Sequence, residues 1–379
     1  MIEGAGRTLL PGMFDMHVHV AADYQGLLHL AAGVTSTRDL ANNREELSER
    51  RNRFDTGRAL GPRIFAAGFI DGPGPLAGPI KVLVSTPDEM RAAIGEYARH
   101  GYRQIKLYSS LDPRLVPVAA DEAHRLGLRL SGHVPAGMTM SQAVEGGYDE
   151  VHHLNFAALN FMGPEINAKT NGITRITAIA EHAAELDLDS AKALQFLELL
   201  RSKGTVVDPT MSLYENHLTG RSGRATPNLK AVIDRLPPVV RRASFGAGLA
   251  RTDAEELRNA KAYRKMQALL RKLHEAGVIL VPGTDDMAGF TYLRELELYA
   301  EAGIAPADVL YMATLGSARV LGREAELGSV DVGKLADMVL IDGDPTRSMS
   351  EVRKTALVIK DGAIFDPAAL LREAGVSPS

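Results

Sequence analysis

Two histidines, His17 and His19, stand two residues apart in the apolar segment Pro-Gly-Met-Phe-Asp-Met-His-Val-His-Val. Because side chains two positions apart in a β-strand project from the same face, both imidazoles would point the same way. Two such rings can bind one metal ion, although a pair of histidines satisfied within a protein core would have the same spacing. The pair alone therefore leaves metal binding and core packing open.

Further side chains of metal-binding type end other short apolar runs. They are Lys106 in Gln-Ile-Lys-Leu-Tyr, His133 in Leu-Ser-Gly-His-Val, His153 in Glu-Val-His-His-Leu and Asp285 in Val-Pro-Gly-Thr-Asp. Histidines that serve only packing would be scattered along strands and helices alike, so the repeated placement favours one shared site.

The chain alternates short apolar runs with amphipathic helical stretches, which is the pattern of βα units around a parallel sheet. Helices are predicted at 87–100, 113–126, 190–203 and 254–276. The predicted strands lie near 14–19, 34–39, 63–68, 103–108, 128–133, 150–154, 205–210 and 278–285. Eight such units fit an α/β protein of the (β/α)8 TIM-barrel type, whose active site lies at the carboxyl ends of the strands. All of the candidate metal ligands fall at those ends.

Composition indicates a globular enzyme-sized chain of 379 residues, 45% hydrophobic and 24% charged. The 43 basic and 47 acidic residues give a net charge of -4, which suggests neither nucleic acid nor an anionic membrane as partner and says nothing about the substrate, which is expected to be a small molecule. Without cysteine, any metal must be held by nitrogen and oxygen ligands. No apolar run approaches the roughly 20 residues that span a bilayer, so the sequence as written predicts a cytoplasmic protein.

The barrel is predicted to occupy residues 13–322. Residues 323–379 carry strand and turn patterns of a small β appendage, to which residues 1–12 would add a residual strand. Between the seventh and eighth strands, residues 211–253 form a long connection that we interpret as a lid or substrate loop. A solvated surface excursion is the alternative for this segment.

The sequence resembles the metal-dependent amidohydrolase superfamily, in its imidazolonepropionase-like and Xaa-Pro dipeptidase-like branch. The resemblance runs nearly end to end and rests on segments 10–19, 32–39, 61–64, 313–322 and 328–337. They read Leu-Pro-Gly-Met-Phe-Asp-Met-His-Val-His, Ala-Gly-Val-Thr-Ser-Thr-Arg-Asp, Gly-Pro-Arg-Ile, Ala-Thr-Leu-Gly-Ser-Ala-Arg-Val-Leu-Gly and Gly-Ser-Val-Asp-Val-Gly-Lys-Leu-Ala-Asp.

The resemblance implies a binuclear site for two divalent metal ions, with zinc expected first. In it, His17, His19 and Asp285 would hold one metal, His133 and His153 the other, and Lys106 would bridge them. Because an ammonium cannot ligate, this lysine would lose its proton and react with CO₂ to form a carbamate. An ordinary lysine extending from a barrel strand is the alternative.

In the implied mechanism a metal-bridging hydroxide attacks a polarised carbonyl, while Asp285 collects the proton and returns it to the leaving amine. The chain departs from many relatives by having His152 where they have glutamate before the sixth-strand histidine. Strand alternation predicts that only one of the two histidines faces inward; motif alignment selects His153 and leaves His152 as a supporting partner or bystander.

Relatives usually carry further β-structure before the first histidine pair, whereas this sequence enters that motif almost directly. Either the β appendage is reduced or the sequence as written omits strands at its start, and such an omission could also have removed a signal sequence, in which case the protein would be secreted or periplasmic. Unpaired strand edges would favour homo-oligomerisation.

Amide hydrolysis of a dipeptide or an N-acyl amino acid with a free carboxylate is the expected reaction. Deaminases of the family carry glutamate shortly after the fifth-strand histidine, and here Val-Pro-Ala-Gly follows His133. By position, Tyr108, Tyr214, Arg221 and Arg224 are the candidates for binding the substrate. A cyclic-amide or lactone hydrolase is the second hypothesis, and a non-catalytic barrel used as an assembly scaffold is the third.

Overall fold

The protein is described here by a computed structural model that covers residues 4–80, 82–246 and 248–378. Two sheets organise these residues: an eight-stranded parallel sheet and a four-stranded antiparallel sheet. The strands are β1 Thr8–Pro11, β2 Met13–Val18, β3 Val34–Asp39, β4 Arg63–Ile70, β5 Gln104–Leu107, β6 Arg129–Gly132, β7 Glu150–His152, β8 Val206–Asp208, β9 Ile279–Leu280, β10 Met338–Ile341, β11 Thr355–Lys360 and β12 Ala363–Phe365.

The parallel sheet follows chain order from β2 to β9 and curls into a barrel. Backbone hydrogen bonds run from the Met16 amide to the Pro282 carbonyl (2.9 Å) and from the Asp285 amide to the His17 carbonyl (2.9 Å), which joins the first barrel strand to the last. This agrees with the predicted (β/α)8 architecture, and each predicted strand coincides with an observed one. The eighth is much shorter than the predicted 278–285.

Helices connect and surround the barrel strands, as expected for βα units. They are α1 Asp23–Ala31, α2 Arg44–Asp55, α3 Pro87–Arg99, α4 Val116–Arg125, α5 Met140–Glu145, α6 Asn155–Leu159, α7 Pro164–Asn167, α8 Thr174–His182, α9 Ala191–Ser202, α10 Met211–Thr219, α11 Pro238–Ala243, α12 Asp253–Glu275, α13 Phe290–Glu301, α14 Pro306–Tyr311, α15 Ser317–Val320 and α16 Pro367–Glu373. Thr86 and Thr252 start α3 and α12 with capping boxes, which places these starts at the predicted positions. None of the described helices is both long and apolar enough to cross a bilayer.

The antiparallel sheet has the order β1-β10-β11-β12 and brings the two ends of the described chain together. Residues Thr8 to Pro11 pair with Ile341 to Met338, which places β1 beside the strands near the other end of the chain, while the predicted division into a barrel and a β appendage stays a prediction. Residues 1–3 of the predicted segment 1–12, and residue 379 of the predicted segment 323–379, lie outside the described residues.

The predicted lid segment 211–253 contains helices α10 and α11 and several turns. Its middle is packed, because Leu229, Val232 and Leu236 are buried in one apolar cluster with Leu28 and Phe290. The segment is therefore part of the packed barrel wall along this stretch, and its role as a lid remains a prediction.

Charged and polar side chains fill the barrel axis below the strand ends. Arg38 is fully buried and donates to both carboxylate oxygens of Glu150, with Nη1 at 2.8 Å from Oε2. Gln104 donates to Ser131 at 2.8 Å beside them. Glu150 Oε1 also lies 3.4 Å from His152 Nε2, so this polar column reaches the strand ends where the predicted site lies.

Candidate metal centre and active site

The six predicted metal ligands meet at the carboxyl ends of the barrel strands. His17 Nε2 lies 3.1 Å from Lys106 Nζ and 3.7 Å from Asp285 Oδ1. His19 Nε2 lies 3.0 Å from the same Asp285 oxygen, and His153 Nε2 lies 3.7 Å from Asp285 Oδ2. The His133 ring lies against that of His153, with centroids 4.7 Å apart. Residues from distant parts of the sequence therefore surround one small volume.

The ring nitrogens that face away from this volume have fixed partners. His19 Nδ1 lies 2.8 Å from the Ala41 carbonyl, and the Nδ1 atoms of His133 and His153 lie 2.9 Å from the hydroxyls of Ser109 and Thr210. Such contacts orient a ring and leave its other nitrogen available to a metal. Nε2 of His153 is buried and has no hydrogen-bond partner among the described residues.

His17 is held differently, by a carboxylate that sequence reasoning missed. Its Nδ1 lies 2.6 Å from Asp208 Oδ2 at the end of β8, and both side chains are fully buried. Gly283 permits this approach, because a Cβ at that position would stand 2.5 Å from Asp208 Oδ1 and 2.6 Å from the His17 Cβ. The signal was present in the sequence, since Asp208 lies near the carboxyl end of the predicted strand 205–210, as Asp285 lies at the end of the predicted strand 278–285.

Left-handed backbone conformations occur at three neighbouring strand ends. His153 (φ 69°), Thr210 (φ 50°) and Asp285 (φ 52°) are three of the four non-glycine residues with positive φ in the described chain, and the fourth is Asp361 in a terminal hairpin. Such conformations are unfavourable for residues with a side chain and concentrate at functional sites. Here they turn the chain at the end of each strand so that the side chains face the barrel axis.

The same backbone feature corrects one expectation. Strand alternation predicts that only one of His152 and His153 faces inward, yet both are fully buried and both rings lie close to His17, with centroids 5.2 and 4.9 Å away. His152 follows the alternation from Glu150, and the left-handed turn at His153 brings the second ring to the same side. His152 Nε2 contacts Glu150 Oε1 at 3.4 Å, outside good hydrogen-bond geometry, and its Nδ1 has no hydrogen-bond partner among the described residues.

Burial sets the protonation of the centre. It holds the pKa values of His17, His133 and His153 well below their ordinary value and lowers the pKa of Lys106 to about 8. Burial acts to raise the pKa of Asp285, but the hydrogen bond and charge of His19 outweigh it and hold that pKa well below its usual range. Burial acts to lower the pKa of His19, but the hydrogen bond and charge of Asp285 outweigh it and raise that pKa. A neutral imidazole, an ionised carboxylate and a deprotonated lysine are the forms that bind cations, so His19 and Lys106 would each give up a proton on binding a metal.

The donor set fits a divalent metal. Ligand atoms of His17, His19 and Asp285 lie within 4.8 Å of one another, and so do those of His17, His152 and Asp208. Imidazole nitrogen and carboxylate oxygen suit zinc and similar dications. The unpartnered buried Nε2 of His153 is the kind of atom that a metal would satisfy.

The predicted substrate-binding residues have different surroundings. Tyr108 stacks on His133 with ring centroids 3.9 Å apart and is partly exposed, so it lines the site. Tyr214 is fully buried, and its hydroxyl lies 2.6 Å from Asn155 Oδ1. Arg221 and Arg224 both pair with Glu256 of α12, and Arg221 also pairs with Asp253 at 2.6 Å. The structure therefore engages both arginines in ion pairs on the barrel wall.

Arg175, at the start of α8, faces the centre instead and was not singled out by its sequence context. Its positive charge adds to the burial that lowers the pKa values of His133 and His153, and it opposes the burial that raises the pKa of Tyr108. Arg175 Nη1 donates to the Gly172 carbonyl at 3.0 Å, while the buried Nε has no partner among the described residues.

An eight-stranded barrel with histidines, a lysine and carboxylates converging at its carboxyl end is the arrangement expected of a metal-dependent hydrolase. The amidohydrolase family profile matches residues 8–365, and the chain belongs to the amidohydrolase family. Members of this family generally use divalent metal ions and are hydrolytic enzymes, so the expected enzyme class is confirmed.

Similar proteins agree with the expected branch. An imidazolonepropionase of Rubrobacter xylanophilus is 32% identical over 105 residues, which cover 26% of this chain and 25% of that relative. A crystal structure of a Xaa-Pro dipeptidase with bound methionine has a TM-score of 0.67 at 21% identity and covers 95% of this chain and 87% of its own. Bottromycin amidohydrolase has a TM-score of 0.76 at 22% identity, covering 98% and 82%. These structural likenesses concern the fold.

Proposed function

We propose that this protein is a binuclear, metal-dependent amidohydrolase that cleaves the amide bond of a dipeptide or N-acyl amino acid with a free carboxylate. The convergence of His17, His19, His133, His153, Lys106 and Asp285 on one volume carries the proposal. The names of the similar solved proteins, which include a Xaa-Pro dipeptidase and an amidohydrolase, support an amide as the scissile group.

His17, His19 and Asp285 would hold one metal ion and His133 and His153 the other, with zinc as the expected metal. Lys106 would bridge the two as its carbamate, a reaction that a lowered lysine pKa of about 8 favours. Bound divalent metals supply Lewis acidity, which lowers the pKa of water and polarises a carbonyl group. His152 and Asp208 lie on the inner side of His17, where they would hold that ring in place.

Asp285 is the proposed proton carrier. Its carboxylate is ionised at neutral pH because its pKa is held well below the usual range, so it can accept a proton on Oδ2, the oxygen that faces His153. It would then return that proton to the nitrogen of the leaving amine. Its left-handed backbone and the hydrogen bond from its own amide to the His17 carbonyl fix the carboxylate at this place.

Arg175 and Tyr108 would recognise the substrate carboxylate. The buried Nε of the guanidinium has no hydrogen-bond partner in the described part of the chain, and the group faces the Tyr108 hydroxyl beside His133. A planar guanidinium matches a carboxylate with two parallel hydrogen bonds. We favour Arg175 for this role over Arg221 and Arg224, whose charges are already compensated by Glu256.

Metal content and turnover test the proposal together. Protein purified with bicarbonate and without chelator should contain close to two metal ions per chain, and Lys106→Ala should lose at least one of them. Lys203→Ala removes a lysine from the exposed end of α9 and serves as the matched control. An unchanged metal content in Lys106→Ala would contradict the bridging role of the lysine.

The substrate class is tested on a panel of N-acyl amino acids, dipeptides, cyclic amides and lactones. Asp285→Asn should abolish hydrolysis of the first two groups, and it should retain more than half of the bound metal. Preferred turnover of cyclic amides or lactones would replace the proposed substrate class, while unchanged turnover in Asp285→Asn would exclude the proton-carrying role.

A further inference from the structure

A cavity lies at the opposite end of the barrel from the candidate metal centre. It has a volume of about 640 Å³ and opens beside Gln104 and Arg129, the first residues of β5 and β6. This is within the range of pockets that hold small organic ligands. Because the metal-binding side chains occupy the carboxyl ends of the same strands, the two sites face opposite ends of the barrel.

The lining of this cavity is strongly basic. His100 contributes to it, and none of its described lining residues is an aspartate or a glutamate. The arginines of the lining are Arg38, Arg51, Arg103, Arg129, Arg319 and Arg323. The chain as a whole has a net charge of -4, so this concentration of positive charge is local and not a property of the whole surface.

Part of this charge is compensated by carboxylates outside the lining, since Arg51 lies 3.7 Å from Asp55, His100 lies 3.4 Å from Glu96 and Arg323 pairs with Glu326. Glu150 binds Arg38 and also lies 3.4 Å from Arg129, so one carboxylate serves two guanidinium groups. Arg129 Nε is buried without a hydrogen-bond partner among the described residues. Arg103 has no ion-pair partner among those residues, and Arg319 donates to the Tyr311 hydroxyl at 2.7 Å instead of to a carboxylate. Like charges around a cavity repel one another, and a bound anion would offset this repulsion.

Flat apolar surface adjoins the charges. Phe65 and Tyr102 line the cavity, and the guanidinium of Arg323 lies 5.5 Å above the Phe65 ring. Burial raises the pKa of Tyr102 to about 12, so its hydroxyl keeps its proton and can donate a hydrogen bond to an anion. The site thus offers several cationic donors, a neutral hydroxyl and a ring surface in one enclosure.

We propose that this cavity is a second ligand site, which binds a small molecule with two or more adjacent anionic groups, such as a phosphorylated compound. Guanidinium groups bind phosphate oxygens with charge-assisted hydrogen bonds, and several of them around one cavity suit a multiply charged ligand. Phosphorylated and polycarboxylated molecules share this chemistry. Pyrophosphate, ATP and citrate are therefore the probes that distinguish a bare phosphate chain, a phosphate chain with an aromatic ring and a polycarboxylate.

Isothermal titration of the metal-loaded protein with each probe tests the site. We expect one anion to bind per chain, with an affinity that falls as salt rises. The double variant Arg103→Ala/Arg319→Ala should weaken binding about 10- to 100-fold, because two charge-assisted contacts are lost. The control double variant Arg264→Ala/Arg347→Ala removes two exposed arginines elsewhere and should bind as the parent does.

Anion binding at the metal centre must be separated from binding at this cavity. Arg175→Met should leave the affinity for the best probe unchanged, since Arg175 lies at the other end of the barrel. If Arg175→Met loses binding and the cavity variant keeps it, the anion sits in the active site and the proposal is wrong. Equal affinities in the cavity and control variants, or no saturable binding of any probe, would also overturn it.

Discussion

Replacing Arg175 by methionine should remove recognition of the substrate carboxylate and leave the catalytic chemistry in place. Methionine keeps much of the length of the apolar stem but has no charge. The guanidinium donates from Nη1 to the Gly172 carbonyl and contacts the Tyr108 side chain, and its buried Nε has no hydrogen-bond partner among the described residues. Two charge-assisted hydrogen bonds to a partly buried carboxylate contribute about 2–3 kcal/mol in total. This corresponds to a decrease of about 30- to 150-fold in kcat/KM.

The assay compares two substrates that differ only at the carboxylate. Hydrolysis of an N-acyl amino acid and of its primary amide should be measured with the parent and with Arg175→Met. The variant should lose about 30- to 150-fold on the acid and less than about threefold on the amide, because only the acid engages the charge. Arg221→Met is the matched control, since its guanidinium is paired with Asp253 and Glu256.

Two results would refute this reasoning. An equal loss on the acid and on the amide would mean that Arg175 supports the structure of the site instead of binding the carboxylate. A selective loss on the acid in Arg221→Met, with none in Arg175→Met, would return the role to the arginines of the 211–253 segment.

Three other predictions concern the support of the centre and the stability of the fold. Thr210→Val removes the hydroxyl that contacts His153 Nδ1 and should weaken metal affinity about 10- to 100-fold, whereas Thr210→Ser keeps the hydroxyl and should keep the affinity. Competition with a chelator measures this, and equal metal affinities of Thr210→Val and the parent would contradict it. Glu150→Gln leaves Arg38 buried without its charge partner and should destabilise the fold by about 3–5 kcal/mol in urea denaturation, and a cost under about 1 kcal/mol would show that water reaches Arg38. Burial lowers the pKa of His29 to about 3 from an ordinary 6.5, so between these values the unfolded chain binds a proton at this residue and the folded chain does not. The free energy of unfolding should therefore fall on acidification below pH 6.5, by about 2 kcal/mol at pH 5. His29→Leu should abolish that part of the loss, as measured by denaturation at pH 8 and at pH 5.

The barrel could be predicted from the sequence because each strand carries a local signal. The order and approximate bounds of the strands were predicted from short apolar runs that are bounded by turn residues and alternate with amphipathic helices. The helix predicted at 254–276 is observed at Asp253–Glu275. Once the strand order is known, residues that end parallel strands must meet. The convergence of His17, Lys106, His133 and Asp285 follows from this rule.

The remaining features depend on information that periodicity does not contain. The alternation of side chains along a strand does not indicate that His153 adopts a left-handed conformation, so it predicted that only one of His152 and His153 faces the barrel axis. Arg175 starts a helix in the long connection after β7, where neither spacing nor motif indicates which side chain returns to the barrel mouth. Arg221 and Arg224 were the arginines selected by position, and their pairing with Glu256 is a tertiary contact that their positions in the sequence do not indicate.

The three left-handed residues at the ends of β7, β8 and β9 bear on how this protein could be engineered. Each such conformation costs of order 1 kcal/mol for a residue with a side chain, and glycine would relieve that cost. A search for thermostable variants would therefore tend to select glycine at residues 153, 210 and 285. The same substitutions would delete an imidazole, a supporting hydroxyl and a carboxylate from the centre. Variants of this chain that are selected for heat stability should hence be assayed for turnover at every round, because one substitution can both raise stability and remove a side chain from the site.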